Sequence, residues 1–258
     1  SDYPELTEVL AELYRLITSG IVTPVDSIEI AEASKLVENT QRDIDIAFVN
    51  ELSILMPKLG LDVEKVLEAA DTKWNFHRHT PGLGVGGHCI PIDPHYYIQI
   101  ANSFGVNSSL SPAARKLNSS MPLHNAKELL RLCDGIHPKR VLVLGCSYKP
   151  NVSDTRETPV RPFISHLMES GSEEVFVWDP HLREPQSFPP GIIIDDPYSL
   201  SNLDCVVLAT AHREILEMNW RKLKESTSKP RFYDSRRCLN KDTMSEIGWE
   251  FHAIGLPR

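Results

Sequence analysis

The sequence contains no C-x-x-C pair, no G-x-G-x-x-G run and no apolar stretch near the ~18 residues of a membrane span. It also has no excess of basic charge: 27 Lys and Arg stand against 35 Asp and Glu, a net charge of −8 over 258 residues. General nucleic-acid binding needs a basic excess, so that class is set aside, while local Lys and Arg leave anionic ligands open. The five cysteines, Cys89, Cys133, Cys146, Cys205 and Cys238, are odd in number and wrongly spaced for a disulfide framework or a zinc ribbon. A reducing, cytoplasmic compartment is therefore expected. No basic segment followed by an apolar core opens the chain, so no signal peptide and no membrane partner are expected. With 41% hydrophobic and 24% charged residues the chain is neither disordered nor fibrous, and its length suits two modest domains.

Helical spacing of Leu6, Val9, Leu10, Leu13, Leu16 and Ile17 predicts a short amphipathic helix over 4–18, and Ile21–Val25 reads as a strand. These two pieces resemble the tail of a larger α/β unit. Residues 27–58 predict one long helix, capped by Asp26 or Ser27 and unbroken before Pro57. At ~1.5 Å per residue it runs roughly 45 Å. Ile30, Ala33, Leu36, Val37, Ile44, Ala47, Phe48, Leu52 and Leu55 form its apolar stripe, which must pack on a domain or on a second subunit. Further helices are expected near 62–70, 94–104 and 111–133. From residue 139 the pattern changes to strands at 141–145, 175–179, 205–209 and 231–234 with a helix at 161–170, which predicts a parallel, doubly wound sheet. The expected architecture is α/β: an all-helical central domain over 27–137, then a Rossmann-like domain over 138–258, with 1–26 left over from a preceding domain.

The chemistry concentrates between Thr80 and Pro94, where four Gly and three Pro surround Cys89. Gly86 and Gly87 let backbone approach a ligand. A loop thiol flanked by free N–H groups is a candidate nucleophile, although a purely structural turn has the same composition. Cys133, Cys146 and Cys205 lie in or at the ends of apolar elements and read as core filler. Lys35 and Asn39 are one helical turn apart. Beside a Cys site they can stabilise an oxyanion and hold a water; alone they fit a solvated helix face. His77, His79, His88 and Cys89 lack zinc-ligand spacing, so no metal is expected. The strand at 141–145 ends in a single Gly145. Lys149, Arg156 and Arg236 can still grip phosphates at the carboxyl edge of the sheet, or be surface charge.

Several segments together resemble the UDP-glucose/GDP-mannose dehydrogenase family, and most closely its acetamido-sugar branch. They are Glu32-Ala-Ser-Lys-Leu-Val-Glu-Asn39, Asn50-Glu51, Gly60-Leu-Asp-Val63, Gly84-Val-Gly-Gly-His-Cys-Ile-Pro-Ile-Asp-Pro94, Gly145-Cys-Ser-Tyr-Lys-Pro-Asn151, Ser153-Asp-Thr-Arg-Glu-Thr-Pro159 and Tyr233-Asp-Ser-Arg236. The resemblance implies oxidation of a UDP-sugar C6 alcohol to a carboxylate in two hydride transfers to NAD, in a homodimer joined through the long helix. It implies Cys89 as nucleophile, Lys35 as oxyanion stabiliser, and Asn39 and Asp93 as groups that position water and the lysine. Gly84, Gly86, Gly87, Tyr148, Lys149 and Arg236 are implied as UDP-sugar contacts, and Arg156 as a contact toward the cofactor phosphates. The family's N-terminal NAD domain has no counterpart in this sequence. Asn75 stands where the family often has Arg, with Arg78 three residues on, and Ser235 stands where it usually has Gly. Two other readings compete with a dehydrogenase: a UDP-sugar-binding and dimerisation module without catalysis, and a Cys acyltransferase or hydrolase.

Overall fold

The structure, a computed structural model, describes residues 3–182 and 188–257. Ser1 and Asp2 of the expected first segment, and 183–187 and Arg258 of the last, lie outside the described residues. Helix α1 is Pro4–Ile17, with proline in its first turn; of its residues only Ala11 is buried. The strand expected at 21–25 does not form. Ile21 is 97% exposed, no strand edge among the described residues pairs with this segment's backbone, and Pro24 carries no N–H to donate.

Helix α2, Ile28–Leu55, begins where the Ser27 hydroxyl accepts the Ile30 N–H. It tightens into a 3₁₀ turn at Met56–Leu59 and stops at Gly60, whose φ of 72° suits a residue without Cβ. Then come α3 (Val63–Ala70), α4 (Asp93–Ser103) and α5 (Leu110–Leu132). Helix α2 buries only part of its apolar stripe within the chain. Its face buried within the chain is largely polar: Asn39, Thr40, Asp43, Asn50 and Ser53, with Ala47 and Val49. Ile30, Val37, Phe48 and Leu55 of the expected apolar stripe are exposed.

The remaining elements are β1 (Arg140–Leu144), α6 (Val160–Glu169), β2 (Glu174–Trp178), β3 (Ile192–Ile193), β4 (Cys205–Leu208), α7 (Arg213–Leu216), α8 (Trp220–Lys224), β5 (Arg231–Asp234), α9 (Lys241–Ile247) and β6 (Glu250–Ala253). The strands form one sheet in the order β3-β2-β1-β4-β5-β6, every pair parallel. This is the doubly wound order, with its reversal between β1 and β4. Alternation along the strands splits the core. Val141, Val143, Val175, Val177, Cys205, Val207 and Tyr233 pack with α5 and α6 on one face. Leu142, Leu144, Phe176, Val206, Leu208 and Phe232 pack with Ile215, Leu223, Met244 and Trp249 on the other. Helix α5 therefore serves two layers: its first half lies on α2, and Ala126, Leu129 and Leu132 belong to the sheet core.

Candidate active site

The Gly-rich loop ends in a turn that enters α4. The Cys89 carbonyl accepts the N–H groups of Ile92 at 3.0 Å and Asp93 at 2.8 Å. Asp93 is buried in the first turn of α4, and one of its oxygens collects two donors from α2: Lys35 Nζ at 2.5 Å and Asn39 Nδ2 at 2.7 Å. The one-turn spacing of Lys35 and Asn39 is what lets both reach the same carboxylate. The hydrogen bond to Asp93 pushes the Lys35 ammonium above its usual range, against desolvation, with the electrostatic influence of Asp93 and Cys89 adding to it. The fold thus brings together the four residues singled out for catalysis: Lys35 and Asn39 both donate to Asp93, and the exposed Cys89 opens the turn that Asp93 closes.

The loop is pressed against the start of the sheet domain. Gly87 has φ of 89°, and a Cβ there would lie 2.8 Å from the Tyr148 ring. At Gly86 a Cβ would lie 2.8 Å from the Tyr148 Cβ and 2.7 Å from the Glu157 carbonyl oxygen, and at Gly84 2.9 Å from that of Asn118. The Gly87 N–H also donates to the Arg156 carbonyl. These glycines are therefore needed for close packing, and Tyr148 is the wall on which Gly86 and Gly87 pack. Lys149 is exposed, lies 5.5 Å from the Tyr148 ring centre, and has no anionic partner among the described residues. Arg236 follows the carboxyl end of β5, its guanidinium against Gly82, where a Cβ would be 2.6 Å from Nη1. Desolvation lowers its pKa, against Cys238 and Asp234, and no ion-pair partner stands beside it among the described residues. Arg156, by contrast, folds onto Asp154, whose carboxyl it holds down at about 2. Arg78 is held by Glu64 and Asp71, while Asn75 is exposed.

A buried polar chain that sequence reasoning did not single out supports this loop. Asp43 of α2 accepts Arg115 Nε at 2.8 Å and Asn118 Nδ2 at 2.8 Å. Arg115 Nη1 donates to the Pro91 carbonyl at 3.1 Å. Asn50 Nδ2 donates to Asn118 Oδ1, and Asn50 Oδ1 accepts the Gly82 N–H, each at 2.9 Å. Asn125 donates to the Gly82 carbonyl and accepts the Tyr233 hydroxyl at 2.7 Å. The readable signal was Asp43 itself, one further turn beyond Lys35 and Asn39.

A second polar cluster fills the carboxyl edge between β1 and β4. Asp179 follows β2 and accepts the N–H groups of Cys146 at 2.8 Å and Ser147 at 3.1 Å, with His212 Nε2 at 3.0 Å. Burial acts to raise this carboxyl, but His212 and the backbone N–H groups hold it far below the usual range. Hence the first turn after β1, where a dinucleotide pyrophosphate would sit in a doubly wound sheet, already holds an internal anion.

The remaining thiols differ from Cys89. Cys133, Cys146 and Cys205 are buried, and desolvation raises Cys146 and Cys205 far above the ordinary thiol range. The Cys238 sulfur lies 3.7 Å from Asp234, and desolvation and that carboxylate push it up as well.

Known proteins share this arrangement of domains. Residues 29–120 match the central domain, and residues 142–241 the UDP binding domain, of the UDP-glucose/GDP-mannose dehydrogenase family. The UDP-N-acetyl-D-glucosamine 6-dehydrogenase of Pseudomonas aeruginosa is 39% identical over 93% of this chain and 58% of its own length. The UDP-N-acetyl-D-mannosamine dehydrogenase of Pyrococcus horikoshii is 32% identical over 95% of this chain and 56% of its own. A solved structure of UDP-D-ManNAc dehydrogenase from P. horikoshii superposes with a TM-score of 0.82 at 30% identity, covering 98% of this chain and 58% of that one. The chain spans a little over half the length of these relatives. It belongs to the UDP-glucose/GDP-mannose dehydrogenase family.

Proposed function

We propose that this chain provides the thiol site and the nucleotide-sugar site of an NAD-dependent UDP-acetamidosugar 6-dehydrogenase working as a homodimer in the cytoplasm. The observation that carries the reading is the convergence of Lys35 and Asn39 on one Asp93 oxygen, at the end of the turn opened by Cys89. In this reading the Cys89 thiolate adds to the C6 aldehyde, forming a C–S bond and an oxyanion. Lys35, charged and held by Asp93, stabilises that oxyanion. Oxidation to the thioester would send the hydride to NAD and the oxyanion would return to a carbonyl; water then adds to that carbonyl, the C–S bond breaks, and carboxylic acid and thiol result. Asn39 and Asp93 keep the lysine aimed and orient the water.

NAD does not fit the sheet of this chain. The turn after β1 has a single glycine, its N–H groups are held by Asp179, and Arg156 is held by Asp154. The same observation favours the second reading for the chain taken alone, a UDP-sugar-binding and dimerisation module.

The UDP moiety is assigned to Lys149 and Arg236, the two cations near the loop without partners among the described residues, with Tyr148, Gly84, Gly86 and Gly87 shaping the wall beside them. A charge-assisted contact is worth roughly 1.5–3 kcal/mol. Calorimetry should therefore find UDP binding to the chain, weakened about tenfold or more by Lys149→Ala. Equal affinity in the two proteins would remove Lys149 from the site.

A further inference from the structure

We infer that Arg115 is a positioning residue for the Cys89 turn: its guanidinium ties the Pro91 carbonyl to Asp43, fixing the turn against the helix that presents Lys35 and Asn39. Arg115 lies on α5, and its polar partners are Asp43 and the Pro91 carbonyl, not Cys89 or Lys35. One arm, Nε, is 2.8 Å from Asp43 Oδ2, and another, Nη1, is 3.1 Å from the Pro91 oxygen. Pro91 is the third residue of the five-residue turn whose ends are Cys89 and Asp93. The turn's own bonds, Ile92 and Asp93 N–H to the Cys89 carbonyl, shape it but leave it unattached. Attachment comes from α2 at two points, through Asp93 to Lys35 and Asn39 and through Pro91 and Arg115 to Asp43.

Arg115 and Asp43 are an almost wholly buried ion pair, side chains 9% and 0% exposed. Such a pair is a poor source of stability compared with an apolar contact and a good source of fixed geometry. The planar guanidinium is what allows two directed bonds at once; an ammonium keeps the charge and loses the fork. Asp43 is further held by Asn118, and the other titratable group facing it is His95 of α4. Lys35 in turn faces Asp93, Cys89 and Glu38. Loosening the turn separates the Cys89 sulfur from the Lys35 charge, which disfavours the thiolate.

The inference rests on reading Cys89 as the reacting thiol, and its test separates the two. Iodoacetamide labelling of the chain, followed by mass mapping across pH, gives the rate and pH profile at each thiol. In Arg115→Lys, which keeps the charge opposite Asp43, Cys89 should label about tenfold more slowly near neutral pH, with its profile moved to higher pH. Cys238, which bonds Asp234 and neither Arg115 nor the Cys89 turn, serves as the internal control and should be unchanged. Unaltered Cys89 rate and profile in a folded Arg115→Lys protein would overturn the role of Arg115, and faster labelling at Cys238 together with a changed Cys89 would reduce it to general stability. Amide exchange in the unmodified chain needs no variant. Ile92 and Asp93 should exchange as slowly as α2 at Asp43; exchange at the rate of open loop would overturn the inference even where Arg115→Lys does not fold. A Cys89 inert in the unmodified chain, with Ile92 and Asp93 protected, would sink the catalytic reading and leave the attachment standing.

Discussion

At the scale of single residues, the site is a matter of which oxygen holds which donor. Asp93 places one carboxylate oxygen under both Lys35 and Asn39. Its hydrogen bond is the first cause of the raised Lys35 pKa, with its charge acting in the same direction. Asp93→Asn should therefore lower that pKa, read by a pH titration of the labelled lysine side chain followed by NMR. An unmoved titration would mean that Lys35 is not held as described. Cys89 and Lys35 are legible in the sequence because their types and surroundings are distinctive: a thiol among glycines, and a lysine one turn from an asparagine. Arg115, Asn118 and Asn125 are not. They sit in a helix whose polar residues look like a solvated face, and burial of a polar face becomes visible only when the partner helix is in place. Arg156 shows the opposite limit, since an aspartate two residues before it captures its guanidinium.

Among the elements, α2 carries the most. Its length and position are readable to within a few residues, because no breaker lies between Ser27 and Pro57. Its orientation is not. Hydrophobic spacing picks out Ile30, Val37, Phe48 and Leu55, whereas the chain's own packing uses Asn39, Asp43 and Asn50. A helix with a polar face toward its neighbours and an apolar face outward is stable when that outward face is covered by another molecule. In the dimer reading the cover is the same face of a second copy. Phe48, 54% exposed, stands in the middle of that stripe. Phe48→Asp should therefore convert a dimer to monomers, measured by light scattering at micromolar concentration. An unmodified chain that scatters as a monomer under those conditions would refute the pairing. Strands β3 and β6 escape notice for a simpler reason. The first is two residues long, and the second, Glu250-Phe-His-Ala253, has no apolar run because it lies at the sheet edge.

Over the whole molecule, the sheet is held at its carboxyl edge by Asp179 as a bound anion would hold it. The parallel order of β1, β2, β4 and β5 is readable from their spacing and buried character, but the filling of the switch point is not. Nothing local marks Asp179 as inward-facing, and its partners come from the turn after β1 and from the segment after β4. This arrangement has a pH consequence. The folded carboxyl is held well below its unfolded value of ~3.9, so its contribution is complete above that value and is lost as pH falls below it. Urea unfolding at pH 6 and pH 3 should show a smaller acid loss for Asp179→Asn than for the unmodified chain. Equal losses would show that the carboxylate contributes nothing through its charge.

The polar face of α2 also acts as a ruler. Lys35, Asn39, Asp43 and Asn50 are graduations on one rigid rod, the first two set against Asp93, the third against Arg115 and the fourth against Gly82. A single residue inserted between Asn39 and Asp43 would turn everything beyond it by ~100° and slide it ~1.5 Å along the axis. Lys35 and Asn39 would then be out of phase with Asp43 and Asn50, and no local repacking restores a rotation of that size. Over this interval the helix can change its letters but not its count: substitutions are free to accumulate on the outward face, while insertions and deletions are barred.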